Sequence, residues 1–319
     1  MTSRQQPDTL SHGPRRLRVG LVGLAALAAL VVTGCGATTS TGPGGTGNSG
    51  ATPTSTVTCP NNTSSFHLVA SGKLSIASDT TYAPAEFKDA SGNFVGYDMD
   101  LAREIARRLC LTPGLQTADF GAIIPNLTAP ALGQGKYDMS ISSFTINDDR
   151  QKKVDMVPYF TAGESLLVPK GNPKNFSKFE DMCGKIIAVQ DNTVEQQELE
   201  DANGGHNNSG QAPVCASNQV KIVHNPDQSL VILDVVNGSA DASYQDSPVT
   251  GYYVSQHKDK LQIGPITVAP SPEGIVMRKD NPALETAVKQ ALDNMRTDGT
   301  YLRILKQWGQ DSSAYPPLP

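Results

Sequence analysis

The sequence lacks the spacing of zinc ligands, because none of its cysteines forms a Cys-x-x-Cys pair and no two histidines stand close together. Structural zinc sites need such thiolate and imidazole pairs, so we expect neither a metal centre nor another cofactor. The sequence also has no basic run interleaved with aromatic residues, and its formal net charge is -5. Nucleic-acid surfaces carry clustered positive charge, so a nucleic-acid partner is not expected.

The apolar stretch from Val19 to Val32 is shorter than the about 20 residues that a permanent membrane-spanning helix needs. It follows Arg15-Arg16 and Arg18 and leads to Thr33-Gly34-Cys35, the layout of a secretory signal peptide over residues 1–34. The ending resembles a bacterial lipobox, in which the signal is cut before the cysteine, so that Cys35 would carry the lipid. An uncleaved anchor with an incidental cysteine stays open as the alternative, and Arg15-Arg16 is a weak signal for twin-arginine export.

Residues 35–58 are expected to be a flexible tether behind that lipid. From Gly36 to Thr56 they are almost wholly Gly, Thr, Ser, Pro, Asn and Ala, which bury too little apolar area to offset chain entropy. A coil of that length reaches on the order of 25 Å, enough to hold a folded body away from a membrane. With 38% hydrophobic and 18% charged residues, the chain is long enough for two modest globular domains.

Four cysteines remain once Cys35 is set aside: Cys59, Cys110, Cys183 and Cys215. An even number in an exported chain indicates two disulfides, and four cysteines allow three connectivities. We favour Cys59–Cys110 and Cys183–Cys215, because each bridge then lies inside one predicted domain. The second bridge would contribute about 3–4 kcal/mol by loop entropy.

The stretch Tyr137–Phe160 has the pattern of a buried strand (Tyr137–Ser142), a turn rich in hydroxyl groups and the start of a helix. Free backbone N–H groups at such a corner bind anions. Arg150, in the first helical turn, could add two parallel hydrogen bonds to a carboxylate. On spacing alone the alternative stays open: Ser142, Ser143 and Thr145 would then only form a turn and cap, and Arg150 would pair with a neighbouring aspartate on the surface.

Polar residues follow three further predicted strands. Asp79 follows residues 73–78, Thr193 comes shortly after residues 185–190, and Asp246 follows residues 240–245. Thr193 with Gln196 fits a capping box, so a helix N-terminus is expected there. For Asp79, the role of a turn or cap carboxylate stays open.

Two helices are predicted as scaffold. Asp98 is expected to cap a helix whose charged residues, Arg108 among them, form a solvated face. A second apolar helix is expected after Asp119-Phe120-Gly121, with Phe120 by default a core aromatic.

Two short apolar strands of similar shape, at 164–168 and 274–277, are expected to carry the chain from one lobe to another and back. They predict one lobe from residues 59–165 and 275–319, and a second lobe from 166–274.

Seven runs in order resemble the family 3 extracellular solute-binding proteins, the polar amino-acid receptors of bacterial ATP-binding-cassette importers. They are GKLSIASDTTYAPAEF, VGYDMDLAREIARRL, DFGAIIPNL, GKYDMSISSFTINDDR, GKIIAVQDNT, GSADASYQD and DGTYLRILKQWG. The resemblance covers about Gly72 to Gly309 and implies a type II periplasmic-binding-protein fold of class α/β, with two lobes joined by two hinge strands that close on an amino acid.

The resemblance also implies roles for single residues. Arg150 would bind the ligand carboxylate with help from Thr145 and the amides of Thr193 and Val194, and Asp246 would accept the ligand ammonium beside the Ser143 carbonyl. The aromatic rings of Tyr82 and Phe120 would flank the side chain, Asp79 would meet its end, and Gln190 and Glu195 would tune selectivity. The full expected contact set is Asp79, Tyr82, Phe120, Ser142, Ser143, Thr145, Arg150, Gln190, Thr193 and Asp246.

Charge indicates the class of ligand. A buried zwitterion needs one cation and one anion opposite it, and Asp79 favours a cationic or amide side chain over an acidic one. Arginine, lysine, histidine and glutamine therefore fit. Two departures from the family pattern affect the site: Asn192 stands where glycine is usual, and Ala85 replaces an aromatic residue, which could enlarge the pocket.

The expected function is a monomeric receptor, anchored outside the cell membrane by its lipid, that delivers this amino acid to permease subunits. Two other classes stay open. An exported dehydratase on the same fold would need a general acid, for which Glu164, Glu195 and Glu273 are candidates. A sensing module would use the same closure to signal through a separate protein.

Overall fold

The computed structural model describes residues 59–60, 62–129, 135–205 and 212–317. The predicted signal peptide, the tether and Cys35 lie outside the described residues. Within the described ranges, no helix has both the length and the apolar character needed to cross a membrane.

The first sheet has the strand order β5-β1-β6-β13-β7. β1 is parallel to β5 and β6, whereas β13 is antiparallel to β6 and β7. Five of the six residues of β1 are buried, as expected for a strand covered on both faces. Its elements are β1 (Lys73–Ser78), α1 (Tyr97–Arg108), β5 (Thr112–Thr117), α2 (Phe120–Thr128), β6 (Met139–Ser140), α3 (Asp148–Gln151), β7 (Asp155–Ala162), β13 (Ser271–Met277), α7 (Pro282–Thr297) and α8 (Thr300–Gln307).

A small three-stranded sheet follows β1 in the chain, and a turn at Ser91-Gly92-Asn93 lies between its last two strands. The strands are β2 (Thr81–Tyr82), β3 (Glu86–Lys88) and β4 (Phe94–Val95). We call the part built on these two sheets lobe 1.

The second sheet has the strand order β10-β9-β11-β8-β12, and we call the part built on it lobe 2. β9 is parallel to β10 and β11, and β8 is antiparallel to β11 and β12. Apolar clusters cover both of its faces. Its elements are β8 (Glu164–Pro169), β9 (Ile186–Gln190), α4 (Val194–Ala202), β10 (Lys221–Asn225), α5 (Gln228–Asn237), β11 (Ala242–Asp246), α6 (Ser247–Gln256) and β12 (Leu261–Thr267).

The chain passes between the two large sheets at two places, from β7 to β8 and from β12 to β13. The two connections touch, since a Cβ on Gly163 would lie 2.3 Å from the Val268 carbonyl oxygen. The fold is thus the two-lobed α/β architecture that the sequence predicts. The lobe boundaries at residues 165/166 and 274/275 stay predictions.

The two disulfides have the favoured pairing, Cys59–Cys110 and Cys183–Cys215. Their Cα–Cα distances are 5.6 and 5.2 Å, in the ordinary range for a disulfide.

Several local predictions are wrong. Only Met139–Ser140 of the predicted strand Tyr137–Ser142 is a strand. Asp98 does not cap α1 but lies inside it, since the N-cap is Gly96. The Asp98 carboxylate instead accepts a 2.7 Å hydrogen bond from the Tyr159 hydroxyl. Arg108 is buried rather than solvated, since it pairs with Glu104 and Asp298, each at 2.7 Å.

Candidate functional site

A cavity lies between lobe 1 and lobe 2, enclosed by residues of both. Asp246 and Gln190 end β11 and β9, so the cavity lies at the carboxyl ends of strands, where open α/β sheets bind ligands. Glu86, Val194 and Glu195 line it. So do nine of the ten predicted contact residues, namely Tyr82, Phe120, Ser142, Ser143, Thr145, Arg150, Gln190, Thr193 and Asp246. Their role as ligand contacts stays a prediction.

Arg150 is held in the cavity wall by its own short helix. Asn147 caps α3 and accepts the Arg150 backbone N–H at 2.9 Å. The Arg150 side chain donates from Nη1 to the Thr145 carbonyl oxygen at 2.8 Å and from Nη2 to the Asn192 carbonyl oxygen at 3.3 Å. Asp149 pairs instead with Lys152, so the surface-pair alternative for Arg150 is wrong.

Two aromatic rings support the guanidinium of Arg150. Its carbon lies 5.2 Å from the Phe144 ring centre and 5.5 Å from that of Phe120, and the two rings stack at 4.4 Å. Contact with a ring face stabilises a cation. Burial lowers the pKa of Arg150 from its ordinary value, but a guanidinium stays charged in proteins. Phe120 therefore serves both the core and the cavity.

Asp246 and Tyr82 connect the two lobes on the cavity wall. The Tyr82 hydroxyl donates to Asp246 Oδ2 at 2.8 Å. Burial raises the pKa of Asp246 to about 7, and the Tyr82 hydrogen bond and Arg150 act in the opposite direction. Asp246 is thus a desolvated anion site that a ligand ammonium would stabilise.

Asp79 is the one predicted contact residue that does not line the cavity. Its carboxylate accepts hydrogen bonds from Gln190 Nε2 and, at 2.9 Å, from the Thr81 hydroxyl. Burial is the main cause that raises its pKa to about 6. Because Gln190 does line the cavity, the Gln190 amide lies between the cavity and the Asp79 carboxylate.

Glu86 is a cavity residue that sequence reasoning missed. Its side chain is 1% exposed, and Oε1 accepts a 2.7 Å hydrogen bond from the Ser142 hydroxyl. Oε2 has no partner among the described residues. The Ser142 hydroxyl in turn accepts the Asp79 backbone N–H at 3.0 Å. The sequence pattern of the strand did not indicate that Glu86 faces the cavity, because a glutamate in a short hairpin strand normally faces solvent.

Carboxyl groups outnumber cations around this cavity. Of the described residues that line it, Glu86, Glu195 and Asp246 are acidic and Arg150 alone is basic. Burial is the largest cause that raises the pKa of each of the three. Asp98 raises the pKa of Glu86 further, and Glu164 raises those of Glu195 and Asp246. The raised pKa values favour the neutral form of these carboxyls, and a cation brought into the cavity would favour their charged form.

The two departures from the family pattern have different outcomes. Asn192 adopts a φ of +67°, the left-handed conformation that favours glycine and that asparagine tolerates better than most residues. Ala85 is fully buried in the lobe 1 core and is not among the residues that line the cavity. The expectation that the missing aromatic ring enlarges the pocket stays a prediction.

Comparison with known proteins agrees with this geometry. The family profile of bacterial extracellular solute-binding proteins, family 3, matches residues 74–311. The chain belongs to this family. This chain is 32% identical over 247 residues to the lysine/arginine/ornithine-binding periplasmic protein of Escherichia coli (strain K12). The aligned region covers 73% of this chain and 86% of that protein.

Two solved structures resemble this family 3 protein closely. One is an ancestral arginine-binding protein bound to glutamine, with a TM-score of 0.66 and 32% identity over 76% of this chain and 99% of the other. The second is an ancestral amino acid-binding protein described as a precursor of cyclohexadienyl dehydratase. It has a TM-score of 0.64 and 31% identity over 74% of this chain and 95% of the other.

Proposed function

We propose that this chain is a receptor that binds a cationic amino acid outside the cell and delivers it to the membrane subunits of an ATP-binding-cassette importer. The single observation that carries the choice of ligand is the excess of buried carboxyls over Arg150 around the cavity. Arginine, lysine or ornithine would bring one more positive than negative charge into it.

Each end of the ligand has a counterpart in the cavity. The ligand carboxylate binds the guanidinium of Arg150, and the ammonium binds Asp246. The cationic end of the side chain lies toward Glu86, whose carboxylate accepts from the Ser142 hydroxyl, and toward Asp79, whose backbone N–H donates to the same hydroxyl. Glutamine fits the same arrangement through its neutral amide, whereas glutamate would bring a third carboxylate toward Glu86.

The remainder of the proposal concerns the anchor. Cleavage before Cys35 and lipidation of its thiol would anchor the receptor to the outer face of the cell membrane, with residues 35–58 as its tether. The anchored receptor would be a monomer. Mass spectrometry of the N-terminal peptide from the native membrane fraction tests this, since it must show a diacylated Cys35. A chain that begins at Met1 would contradict it.

A thermal-shift screen of the twenty amino acids and ornithine tests the choice of ligand. A ligand at a hundredfold excess over its Kd stabilises by about 2.7 kcal/mol, which for a body of this size raises Tm by roughly 5–10 °C. We expect that shift with at least one of arginine, lysine, ornithine or histidine and no shift with glutamate. A shift with glutamate alone would overturn the proposal.

A dehydratase is the second candidate, because a solved relative is described as the precursor of one. It would need a proton donor in the cavity, and of the candidates Glu164, Glu195 and Glu273 only Glu195 lines it. Turnover of prephenate or arogenate by the purified protein, abolished by Glu195→Gln, would favour the enzyme. An adjacent receptor kinase in the genome would favour the sensing module.

A further inference from the structure

Gly121 of lobe 1 and Asn192 of lobe 2 approach each other more closely than a Cβ at position 121 would allow. A Cβ built on Gly121 would lie 2.3 Å from Asn192 Nδ2, 2.6 Å from its Cγ and 3.2 Å from its Cβ. The first two distances are shorter than non-bonded atoms tolerate. The contact therefore needs a glycine at position 121 or a smaller residue at position 192.

Nothing else in the local structure requires glycine at position 121. It is the second residue of α2, and it lacks the positive φ that marks the other special glycines. In a helix, alanine is favoured over glycine by about 1 kcal/mol. The three described atoms nearest to a Cβ at that position all belong to the Asn192 side chain.

Asn192 also links this contact to Arg150. Its left-handed backbone, with a φ of +67°, directs its carbonyl oxygen to Arg150 Nη2 at 3.3 Å. Its N–H donates to Gln196 Oε1 at 2.5 Å, which fixes the residue to the first turn of α4. One residue of lobe 2 thus contacts both the helix α2 and the guanidinium of lobe 1.

The contact lies at the outer side of the cavity. Gly121 and Asn192 line a wide groove that shares Phe120, Arg150 and Thr193 with the cavity, but they do not line the cavity itself. They are therefore placed to separate the ligand from the groove when the lobes meet.

We propose that Gly121 and Asn192 are positioning residues that form the closing contact of the two lobes beside Arg150, and that this contact sets how slowly the ligand leaves. The second part rests on the proposed function. The contact is made only when the lobes are together, so a side chain at position 121 must either displace the Asn192 side chain or hold the lobes apart.

A rescue experiment tests the effect on the ligand. Gly121→Ala should weaken the affinity for L-arginine by about tenfold to a hundredfold, the usual range for overpacking, mainly through faster dissociation in stopped-flow fluorescence. The Tm without ligand should stay the same or rise, because alanine suits the helix. Adding Asn192→Gly, which suits the positive φ, should restore the affinity to within about threefold of wild type, since it removes the clashing atoms. Unchanged binding in Gly121→Ala, or no rescue in the double variant, overturns the proposal.

A cross-link tests the contact without any ligand and so separates its failure from that of the proposed function. In the full chain carrying Gly121→Cys and Asn192→Cys, the two Cβ positions lie close to the 3.5–4.5 Å that a disulfide needs. Air oxidation should join the two tryptic peptides that contain these positions, detected by mass spectrometry, and each single variant should keep a free thiol there. Absence of the joined peptides would show that the lobes do not meet at this point.

Discussion

Replacing Arg150 by alanine is the substitution whose effect the site geometry defines best. A guanidinium has five N–H donors, and the Thr145 and Asn192 carbonyl oxygens accept from Nη1 and Nη2. The remaining donors are available to a carboxylate. Truncating one partner of a buried charge pair costs 2–5 kcal/mol, which corresponds to a Kd for L-arginine that is roughly 30-fold to several thousand-fold weaker. Calorimetry of the purified variant measures this directly.

Two controls make the result of Arg150→Ala specific. Lys152→Ala removes a positive charge from an exposed pair with Asp149 and should leave the Kd within about twofold of wild type. Agmatine, which is arginine without its carboxylate, should bind wild type and Arg150→Ala equally. Near-normal affinity of Arg150→Ala for L-arginine would refute the carboxylate assignment, and an equal loss for agmatine would show that the substitution damages the whole site.

Three further predictions concern the anion side of the cavity. Tyr82→Phe removes the 2.8 Å hydrogen bond to Asp246 and should weaken L-arginine binding by about tenfold in calorimetry; an unchanged Kd would mean that this bond does not support the ammonium site. Glu86→Gln should reduce the ratio of arginine to glutamine affinity by at least about tenfold, and a loss shared equally by both ligands would contradict a role at the cationic end. The pKa values of Asp246 and Asp79 are raised to about 7 and about 6, so lowering the pH from 8 to 5 should protonate both carboxyls and weaken cation binding. Over the same range the Tm of the protein without ligand should rise, because the folded protein holds protons that the unfolded chain releases above about pH 4. Cation affinity independent of pH over that range would argue against these two carboxyls.

Sequence reasoning located most of the cavity because two independent rules point to the same positions. Asp246 and Gln190 end parallel strands, and ligands bind at such ends in open α/β sheets. Thr193 accepts the Gln196 backbone N–H at 3.2 Å as the capping pattern predicts. The strand ends and the helix cap can be recognised within short segments of the sequence. The order of the family motifs along the chain then indicates how far apart these segments lie.

The errors concern contacts between residues far apart in the chain. Arg108 has a surface pattern within α1, yet it is buried against Asp298, which is 190 residues away. Helical periodicity cannot identify the partner that covers a charged face. Glu86 faces the cavity only because Ser142, from another part of lobe 1, lies beside it. The approach of Asn192 to Gly121 likewise depends on how the two lobes meet.

Calorimetric titration of the purified protein with L-arginine, L-lysine, L-ornithine, L-glutamine and L-glutamate at pH 7.5 tests the central claim most directly. The excess of buried carboxyls around Arg150 predicts saturable one-to-one binding of at least one cationic amino acid, tighter than that of glutamine, and no binding of glutamate. Binding of glutamate in preference to every cationic amino acid would contradict the account.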